Sequence, residues 1–213
     1  MKEIWIVNFL SNSDQNIDER LLKNLPKSIY KRANRYLKRE NYLSFLIGRL
    51  LLKNALLERG IASTTIENIV YSESGKPSFT NLNFSISHSN GYVVLFFGTV
   101  FQVGIDIEKR SNIDLALFKN LFTDKEWNDI IQDEIPLKKF YWFWVRKEAL
   151  LKAVGCTLKE IRELEVFEDY GIYKEQHFYF KAFNFDSGFN GIMAMEEEVD
   201  INVRYIHLEK LLK

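Results

Sequence analysis

Apolar residues in the first half of the chain follow strand-like and helical spacings in turn. Short β-branched and aromatic runs predict strands at residues 4–9, 66–71, 84–87, 92–97 and 101–107. Apolar residues at helical spacing predict helices at residues 17–25, 27–36 and 40–59. Pro26 separates the first two helices and Gly60 ends the third, while Ser89-Asn90-Gly91 predicts a tight turn between two strands.

The second half of the chain repeats this mixture of helices and strands. Its apolar spacing predicts helices at 115–121, 124–131 and 137–154, and β-rich segments at 166–183 and 199–208. Three prolines, no low-complexity tract and no clear linker indicate a compact α+β fold. Each half carries strands and a long helix, so the pattern also fits two similar lobes. The two halves share no visible sequence identity.

Two carboxylates stand inside the apolar strand of sequence VGIDIEK. Asp106 and Glu108 are two residues apart, so on a strand they face one side while Ile105 and Ile107 face the other. Adjacent, partly buried carboxylates repel each other unless a cation lies between them, and Mg²⁺ is a cation that prefers such oxygens. Taken alone, this short motif is more often the solvated edge of a sheet, or is paired with the basic residues that follow it.

A second group of charged residues lies on the helix predicted at 137–154. Glu148 and Lys152 are four residues apart and share a face, which by itself is typical of a surface ion pair. Five consecutive aromatic residues precede them, so most of this helix is expected to be buried. Glu148 is therefore a candidate third metal ligand and Lys152 a candidate phosphate contact. Lys147 lies about 100° round the helix and is expected at the rim of such a site.

Further candidates for binding an anion lie in the first half of the chain. His88 leaves a strand just before the predicted turn and, with Ser87 and Ser89 beside it, can donate hydrogen bonds to a phosphate. Lys76 stands on a stiff Gly-Lys-Pro turn. Taken singly, both are more often ordinary solvated turn residues. Eight basic and no acidic residues lie from Arg20 to Arg39, which is typical either of a solvated helix face or of an anion site.

Composition narrows the classes of function. The 213 residues include 29 basic and 29 acidic side chains, so no overall charge favours nucleic acid or an anionic membrane as a partner. A single cysteine cannot form a disulfide within the chain, and no signal peptide or membrane span is recognisable, so a cytoplasmic protein is expected. The sequence contains no nucleophile elbow, no P-loop and no cluster of zinc ligands.

Five segments, in this order, resemble the surfactin-synthetase-activating type of 4′-phosphopantetheinyl transferase: Gly75–Pro77, Phe84–Ser89, Val103–Lys109, Leu121–Trp127 and Trp144–Gly155. The family pattern joins a G-[IV]-D-[IVL]-E strand to W-x-x-K-E-[AS]-x-x-K some forty residues later, and both parts are present here. The resemblance implies an α+β fold of two pseudo-twofold-related lobes, residues 1–102 and 103–213, with coenzyme A in the cleft between them. It implies a monomer that transfers the phosphopantetheine arm of coenzyme A to a serine of an acyl or peptidyl carrier protein, releasing adenosine 3′,5′-bisphosphate.

The resemblance also implies roles for the candidate residues. Mg²⁺ on the pyrophosphate would be held by Asp106, Glu108 and Glu148, with Lys152 contacting the pyrophosphate itself. Glu148 is the first candidate for the base that deprotonates the serine, and Glu126 is the second. The expected coenzyme A contacts are Lys76, Ser87, His88, Lys147, Lys31, Arg32 and Arg49. Many relatives carry an arginine near the position of Ser44, whereas this chain offers Arg49, which leaves open which basic groups hold the 3′-phosphate.

Two other functions fit parts of the pattern. A Mg²⁺-dependent nuclease or phosphohydrolase would use the same acidic cluster, but the neutral overall charge and the Ser-His-Ser and Gly-Lys-Pro segments count against it. A non-catalytic module that binds coenzyme A or a carrier would not need the acidic cluster. For a carrier protein, the expected docking surface is residues 115–123, unless its apolar side chains belong to the core: Leu117, Phe118, Leu121 and Phe122.

Overall fold

The structure is a computed structural model that describes residues 2–10, 16–99 and 101–212. Within these residues the chain forms eleven strands: β1 Glu3–Asn8, β2 Val70–Tyr71, β3 Pro77–Ser78, β4 Asn83–Ser89, β5 Tyr92–Thr99, β6 Val103–Lys109, β7 Glu165–Val166, β8 Tyr170–Tyr173, β9 Gln176–Ala182, β10 Phe189–Met195 and β11 Asn202–Tyr205. The α-helices of the same ranges are α1 Ile17–Lys23, α2 Lys27–Ala33, α3 Arg39–Glu58, α4 Asp124–Ile131, α5 Pro136–Val154 and α6 Leu208–Leu211. None of these helices combines the length and the apolar character that crossing a membrane requires.

Two sheets, each covered by one long helix, make up the body of the protein. The first sheet has the strand order β11-β1-β5-β4, and the second has the order β6-β10-β9-β8-β7. Apolar side chains of α3 pack on the first sheet, and those of α5 pack on the second. The predicted α+β class is therefore confirmed.

A further core lies between the two sheets because successive residues of a strand face opposite sides. In β1, Trp5 and Val7 pack toward α3, whereas Ile4 and Ile6 join the core between the sheets. The residues of β6 and β10 in that core are Val103, Ile105, Ile107, Met193 and Met195. Strands that are buried on both faces have nearly continuous apolar sequences, as β1 and β5 do.

The local predictions differ in how well they match the structure. The three N-terminal helices and the hairpin are present, and Asn90 and Gly91 have the positive φ angles, 43° and 78°, that such a turn requires. The strand predicted at 66–71 is present only at its end, as β2, because residues 66–68 belong to a 3₁₀ segment, Ser63–Asn68, whose Ile66 packs into the core of α3. The helix predicted at 115–121 is also a 3₁₀ segment, Leu115–Leu121, none of whose residues is fully buried.

The C-terminal residues lie with the first sheet rather than the second. Strand β11 pairs in parallel with β1, and α6 packs into the core of α3 through Leu208 and Leu211. Arg204 of β11 also forms an ion pair with Glu58 of α3 at 2.6 Å. Strand β11, from the half predicted as a C-terminal lobe of residues 103–213, thus covers an edge of β1 that would otherwise be unpaired, and the division into two lobes stays a prediction.

Candidate active site

The acidic pair of β6 lies directly against helix α5. Ile105 and Ile107 point into the core between the sheets, so Asp106 and Glu108 point to the opposite side. There, Lys152 of α5 donates a hydrogen bond to Asp106, and Trp144 of the same helix donates one to Glu108. The predicted orientation of the pair is confirmed.

Gly104 allows the helix to lie this close to the strand. A Cβ atom at this position would lie 1.9 Å from the carbonyl oxygen of Ala149 and 2.4 Å from the backbone nitrogen of Ala153. The backbones of β6 and α5 are therefore in direct contact, with no room for a side chain between them. This contact brings Glu148 and Lys152 to the acidic pair, which the spacing of either motif alone does not reveal.

Asp106 is almost completely buried, and its two oxygens have different surroundings. Oδ1 accepts hydrogen bonds from the Lys152 ammonium at 2.6 Å and from the Ser87 hydroxyl at 2.8 Å. Oδ2 is buried and has no hydrogen-bond partner in the described part of the chain. Leaving a buried carboxylate oxygen unpaired costs free energy, so Oδ2 is a suitable ligand for a cation.

Burial raises the pKa of the other two carboxyl groups. Together with the charge of Asp106, it raises the pKa of Glu108 to about 7 and that of Glu148 to about 6. As the side chains stand in the described ranges, no group of three or more His, Cys, Asp or Glu side chains is arranged to hold a metal ion. The donor set nevertheless fits Mg²⁺, since it offers three carboxylates, one of them with a buried oxygen that lacks a partner.

Three serines of β4 join the two sheets beside this cluster. β4 and β6 are edge strands of different sheets, and the serine hydroxyls accept hydrogen bonds from backbone N–H groups of β6. The pairs are Ser85 with Ile105, Ser87 with Ile107, and Ser89 with Lys109. The hydroxyls of Ser87 and Ser89 also donate to Asp106 and Glu108. Ser87, predicted as a coenzyme A contact, is thus buried in this seam between the sheets.

A cavity of about 320 Å³ opens between α3 and the C-terminal end of α5. Both halves of the chain contribute to its wall, and none of its described lining residues is acidic. The basic lining residues are Arg32, Arg49, Lys76, His88 and Lys152. Because Lys152 also contacts Asp106, the acidic cluster lies at one end of this basic cavity.

Arg49 is the most deeply buried of these cations. Its Nε atom and the nearby Ser44 hydroxyl are buried and have no hydrogen-bond partner in the described residues. Burial lowers the pKa of Arg49, and its guanidinium lies 5.0 Å from the ring centroid of Phe45. Arg32 stacks on Tyr71 at 3.6 Å and also lines an adjoining pocket of about 210 Å³.

The remaining predicted contacts are spread around these two pockets. Lys31 lies in the adjoining pocket, together with Arg32. Lys76 crosses to the second half, where its ammonium donates to the carbonyl of Ala153 near the end of α5, and burial lowers its pKa to about 8. His88 lies at the rim, where partial burial and then the charge of Lys152 lower its pKa.

The structure contradicts the predicted roles of Lys147 and Glu126. The Lys147 side chain is completely buried, and its ammonium donates to the carbonyls of Ile161 and Leu164 at 2.9 and 2.8 Å. It also pairs with Glu126 at 2.9 Å. The second oxygen of Glu126 accepts the backbone N–H of Thr123, which caps helix α4. Both residues therefore stabilise the packing of α4 on α5 and lie outside the cavity.

Sequence reasoning missed Trp144 as a member of the site, and it placed Ser89 beside His88 without predicting its contact with Glu108. The indole nitrogen of Trp144 donates to Glu108 at 3.1 Å, and the hydroxyl of Ser89 donates to the other oxygen at 3.3 Å. Trp144 begins the W-x-x-K-E segment and looked like one more aromatic core residue. The available signal was its position, one helical turn before Glu148 on nearly the same face.

Comparison with known proteins shows which family this part of the chain resembles. Residues 102–187 match the model of the 4′-phosphopantetheinyl transferase superfamily, and this range contains β6 and α5. The chain is 29% identical over 160 residues to a 4′-phosphopantetheinyl transferase of Aneurinibacillus migulanus, covering 73% of this chain and 66% of the relative. It is 28% identical over 150 residues to the transferase Sfp of Bacillus subtilis, covering 68% and 66%.

A second group of relatives matches over a shorter length. The L-aminoadipate-semialdehyde dehydrogenase-phosphopantetheinyl transferase of Homo sapiens is 34% identical over 139 residues, which is 56% of this chain and 45% of the relative. The matches thus span between about half and just under two thirds of these curated relatives. On the match of residues 102–187 and these similarities, the chain resembles the 4′-phosphopantetheinyl transferases.

Proposed function

We propose that this protein transfers the 4′-phosphopantetheine arm of coenzyme A to a serine hydroxyl of an acyl or peptidyl carrier protein. The observation that carries the proposal is the acidic cluster around Lys152 at the end of a cavity lined by basic side chains. A nucleotide pyrophosphate requires both features, because cations bind its oxygens and carboxylates hold the metal that it shares. The names of the similar proteins describe the same chemistry.

In this proposal, the carboxylates of Asp106, Glu108 and Glu148 hold Mg²⁺, and the unpartnered Oδ2 of Asp106 is one of the ligands. When bound, Mg²⁺ would offset the charge that grows on the pyrophosphate as the phosphorus–oxygen bond breaks. The ammonium of Lys152 stabilises the same charge from the wall of the cavity, where Asp106 holds it in place at 2.6 Å.

Glu148 is the proposed base for the serine hydroxyl. Without metal, its pKa of about 6 leaves most of the group ionised at neutral pH, which is the form that can accept a proton. The serine oxygen attacks the β-phosphorus of coenzyme A, and the bond from this phosphorus to the bridging oxygen breaks. The products are the phosphopantetheinyl serine and adenosine 3′,5′-bisphosphate.

The basic residues of the cavity are the proposed contacts for the other phosphates. Arg49, Arg32 and Lys31 follow one another from the buried wall to the adjoining pocket, and we assign the 3′-phosphate to this group. Among the described residues, neither the Ser44 hydroxyl nor the Arg49 Nε has a hydrogen-bond partner, so an anion would satisfy both. Lys76 and His88 line the same cavity and are the proposed contacts for the rest of the nucleotide.

The carrier protein is proposed to dock on the 3₁₀ segment Leu115–Leu121. Leu117 is 78% exposed, as a docking residue should be, whereas Phe122 is 1% exposed and belongs to the core. Phe118 and Leu121 are half-buried between these extremes. The cytoplasmic location, the monomeric state, the pseudo-twofold relation of the two halves and the use of Mg²⁺ rather than Mn²⁺ stay predictions.

The test is incubation of the protein with coenzyme A, Mg²⁺ and an apo carrier protein, followed by mass spectrometry of the carrier. A mass gain of one phosphopantetheine is expected, and Asp106→Ala or Glu148→Gln should each abolish it without unfolding the chain. Near-normal turnover of either variant at saturating Mg²⁺ would refute the metal assignment. An unmodified carrier together with hydrolysed phosphoester or nucleic acid would instead favour the hydrolase.

A further inference from the structure

We propose that Trp144 and Ser89 are positioning residues that hold the Glu108 carboxylate toward the metal and pyrophosphate; the inference rests on the proposed function. Each oxygen of Glu108 accepts one hydrogen bond from a different element. Trp144 of α5 donates to Oε1 at 3.1 Å, and Ser89 of β4 donates to Oε2 at 3.3 Å. Two donors on opposite sides fix the plane of the carboxylate, which a single contact would not do.

The direction of the Ser89 hydroxyl is determined by its second contact. Its oxygen accepts the backbone N–H of Lys109 at 3.1 Å. The hydroxyl carries a single hydrogen, so this hydrogen is left to point at Glu108. Ser89 therefore links the Glu108 carboxylate to the contact between β4 and β6 that joins the two sheets.

The Trp144 indole is fixed by aromatic neighbours. The ring of Phe140 stacks on it with an angle of 10° between the planes and 6.0 Å between the centroids. The ring of Phe118 meets it edge-on, with centroids 5.7 Å apart. Phe118 belongs to the proposed docking segment, so the donor to Glu108 lies in contact with the element that would receive the carrier.

The chemistry of the two donors suits a carboxylate that must bind a cation. Asp106 is paired with an ammonium, whose positive charge already offsets its own. The indole and the hydroxyl are neutral, so they orient Glu108 without cancelling its charge, and each oxygen keeps a lone pair. In characterised metal sites, removing such an orienting partner weakens metal affinity by roughly 10- to 100-fold.

The first measurement follows the indole N–H signals of the ¹⁵N-labelled protein, which has four tryptophans. The signal of Trp144 is identified by its loss in Trp144→Phe. We expect Glu108→Gln to move this signal and Mn²⁺ with coenzyme A to broaden it. The signal of Trp142, whose ring packs on Arg146 at 4.0 Å, should respond less. A Trp144 signal that is indifferent to Glu108→Gln would overturn the proposal.

The second measurement is Mn²⁺ affinity by electron paramagnetic resonance, with coenzyme A present and no carrier. Trp144→Phe and Ser89→Ala should each weaken Mn²⁺ binding by about tenfold or more, while Trp142→Phe stays at the wild-type value. Wild-type affinity in both site variants would overturn the proposal, and if Trp144→Phe does not fold, Ser89→Ala decides. Mn²⁺ binding by a wild-type protein that modifies no carrier would refute only the proposed function, whereas no Mn²⁺ binding at all would overturn both.

Discussion

Replacing Gly104 by alanine tests whether the approach of α5 to β6 creates the site. The added methyl group would overlap the backbone of α5, with its nearest atom, the carbonyl oxygen of Ala149, at 1.9 Å. Backbone atoms cannot rotate away as a flexible side chain can. Alanine is also locally favoured over glycine in a strand, by roughly 0.5–1 kcal/mol, so any loss must come from the overlap itself.

The geometry gives the size of the expected effect. Ordinary contact begins at about 3.4 Å, so α5 has to move from β6 by about 1.5 Å. Such a shift would stretch the 2.6 Å bond between Lys152 and Asp106 beyond hydrogen-bonding distance. A misplacement of about 1 Å can cost a catalytic site roughly 100-fold in rate, and overpacking a core costs about 1–3 kcal/mol. We therefore expect transfer to fall by about 100-fold or more in a protein that is measurably less stable.

The assay measures the rate of carrier modification at saturating coenzyme A, together with the melting temperature. Gly48→Ala on helix α3 is the matched control, because its Cβ would meet side chains rather than backbone: Ile86 at 3.1 Å and Val93 at 3.6 Å. This control should retain near-wild-type turnover. Wild-type rate and stability in Gly104→Ala would refute the reasoning that this contact sets the position of Lys152.

Three further predictions address the buried charges. Lys147→Met should lower the free energy of unfolding by about 3–5 kcal/mol in denaturant titrations, because it leaves Glu126 buried and unpaired. Adding Glu126→Leu should recover part of this loss. Unchanged stability together with weaker coenzyme A binding would instead restore Lys147 as a ligand contact. Without metal, the raised pKa values of Glu108 and Glu148 mean that the folded state retains protons that the unfolded state has lost, so their contribution to stability falls as pH rises from about 4.5 to about 7. Protons on these two carboxyl groups compete with Mg²⁺, so the rise in melting temperature caused by Mg²⁺ with coenzyme A should be larger at pH 8 than at pH 5.5. A larger rise at pH 5.5 would contradict this assignment. Arg49→Met should reduce affinity for coenzyme A more than affinity for its 3′-dephospho form, and calorimetry showing equal losses would place the 3′-phosphate elsewhere.

Much of the local structure could be predicted because it depends on neighbours in the chain. The period of two in β6 determines that Asp106 and Glu108 share a face, and the spacing of four in α5 does the same for Glu148 and Lys152. The hairpin at Asn90 follows from turn chemistry alone. The motifs also carried the family resemblance, which the comparisons support.

The position of Lys147 could not be predicted in the same way. Its place on the helix is clear from the sequence, but the elements that pack on each side of that helix are distant in the chain. Only the fold brings the carbonyls of Ile161 and Leu164 and the carboxylate of Glu126 to its ammonium. A lysine that looked like a ligand contact at the rim is therefore a buried structural cation.

The sequence by itself determined which residues share a face, and the tertiary structure alone decided which faces meet. Periodicity fixes the direction of a side chain relative to its own strand or helix, since this depends only on local backbone geometry. The meeting of β6 with α5 at Gly104, the serine seam from β4 and the return of β11 to β1 depend on packing between distant segments. For that reason the acidic pair was visible in the sequence, whereas the donors that orient Glu108 emerged only from the structure.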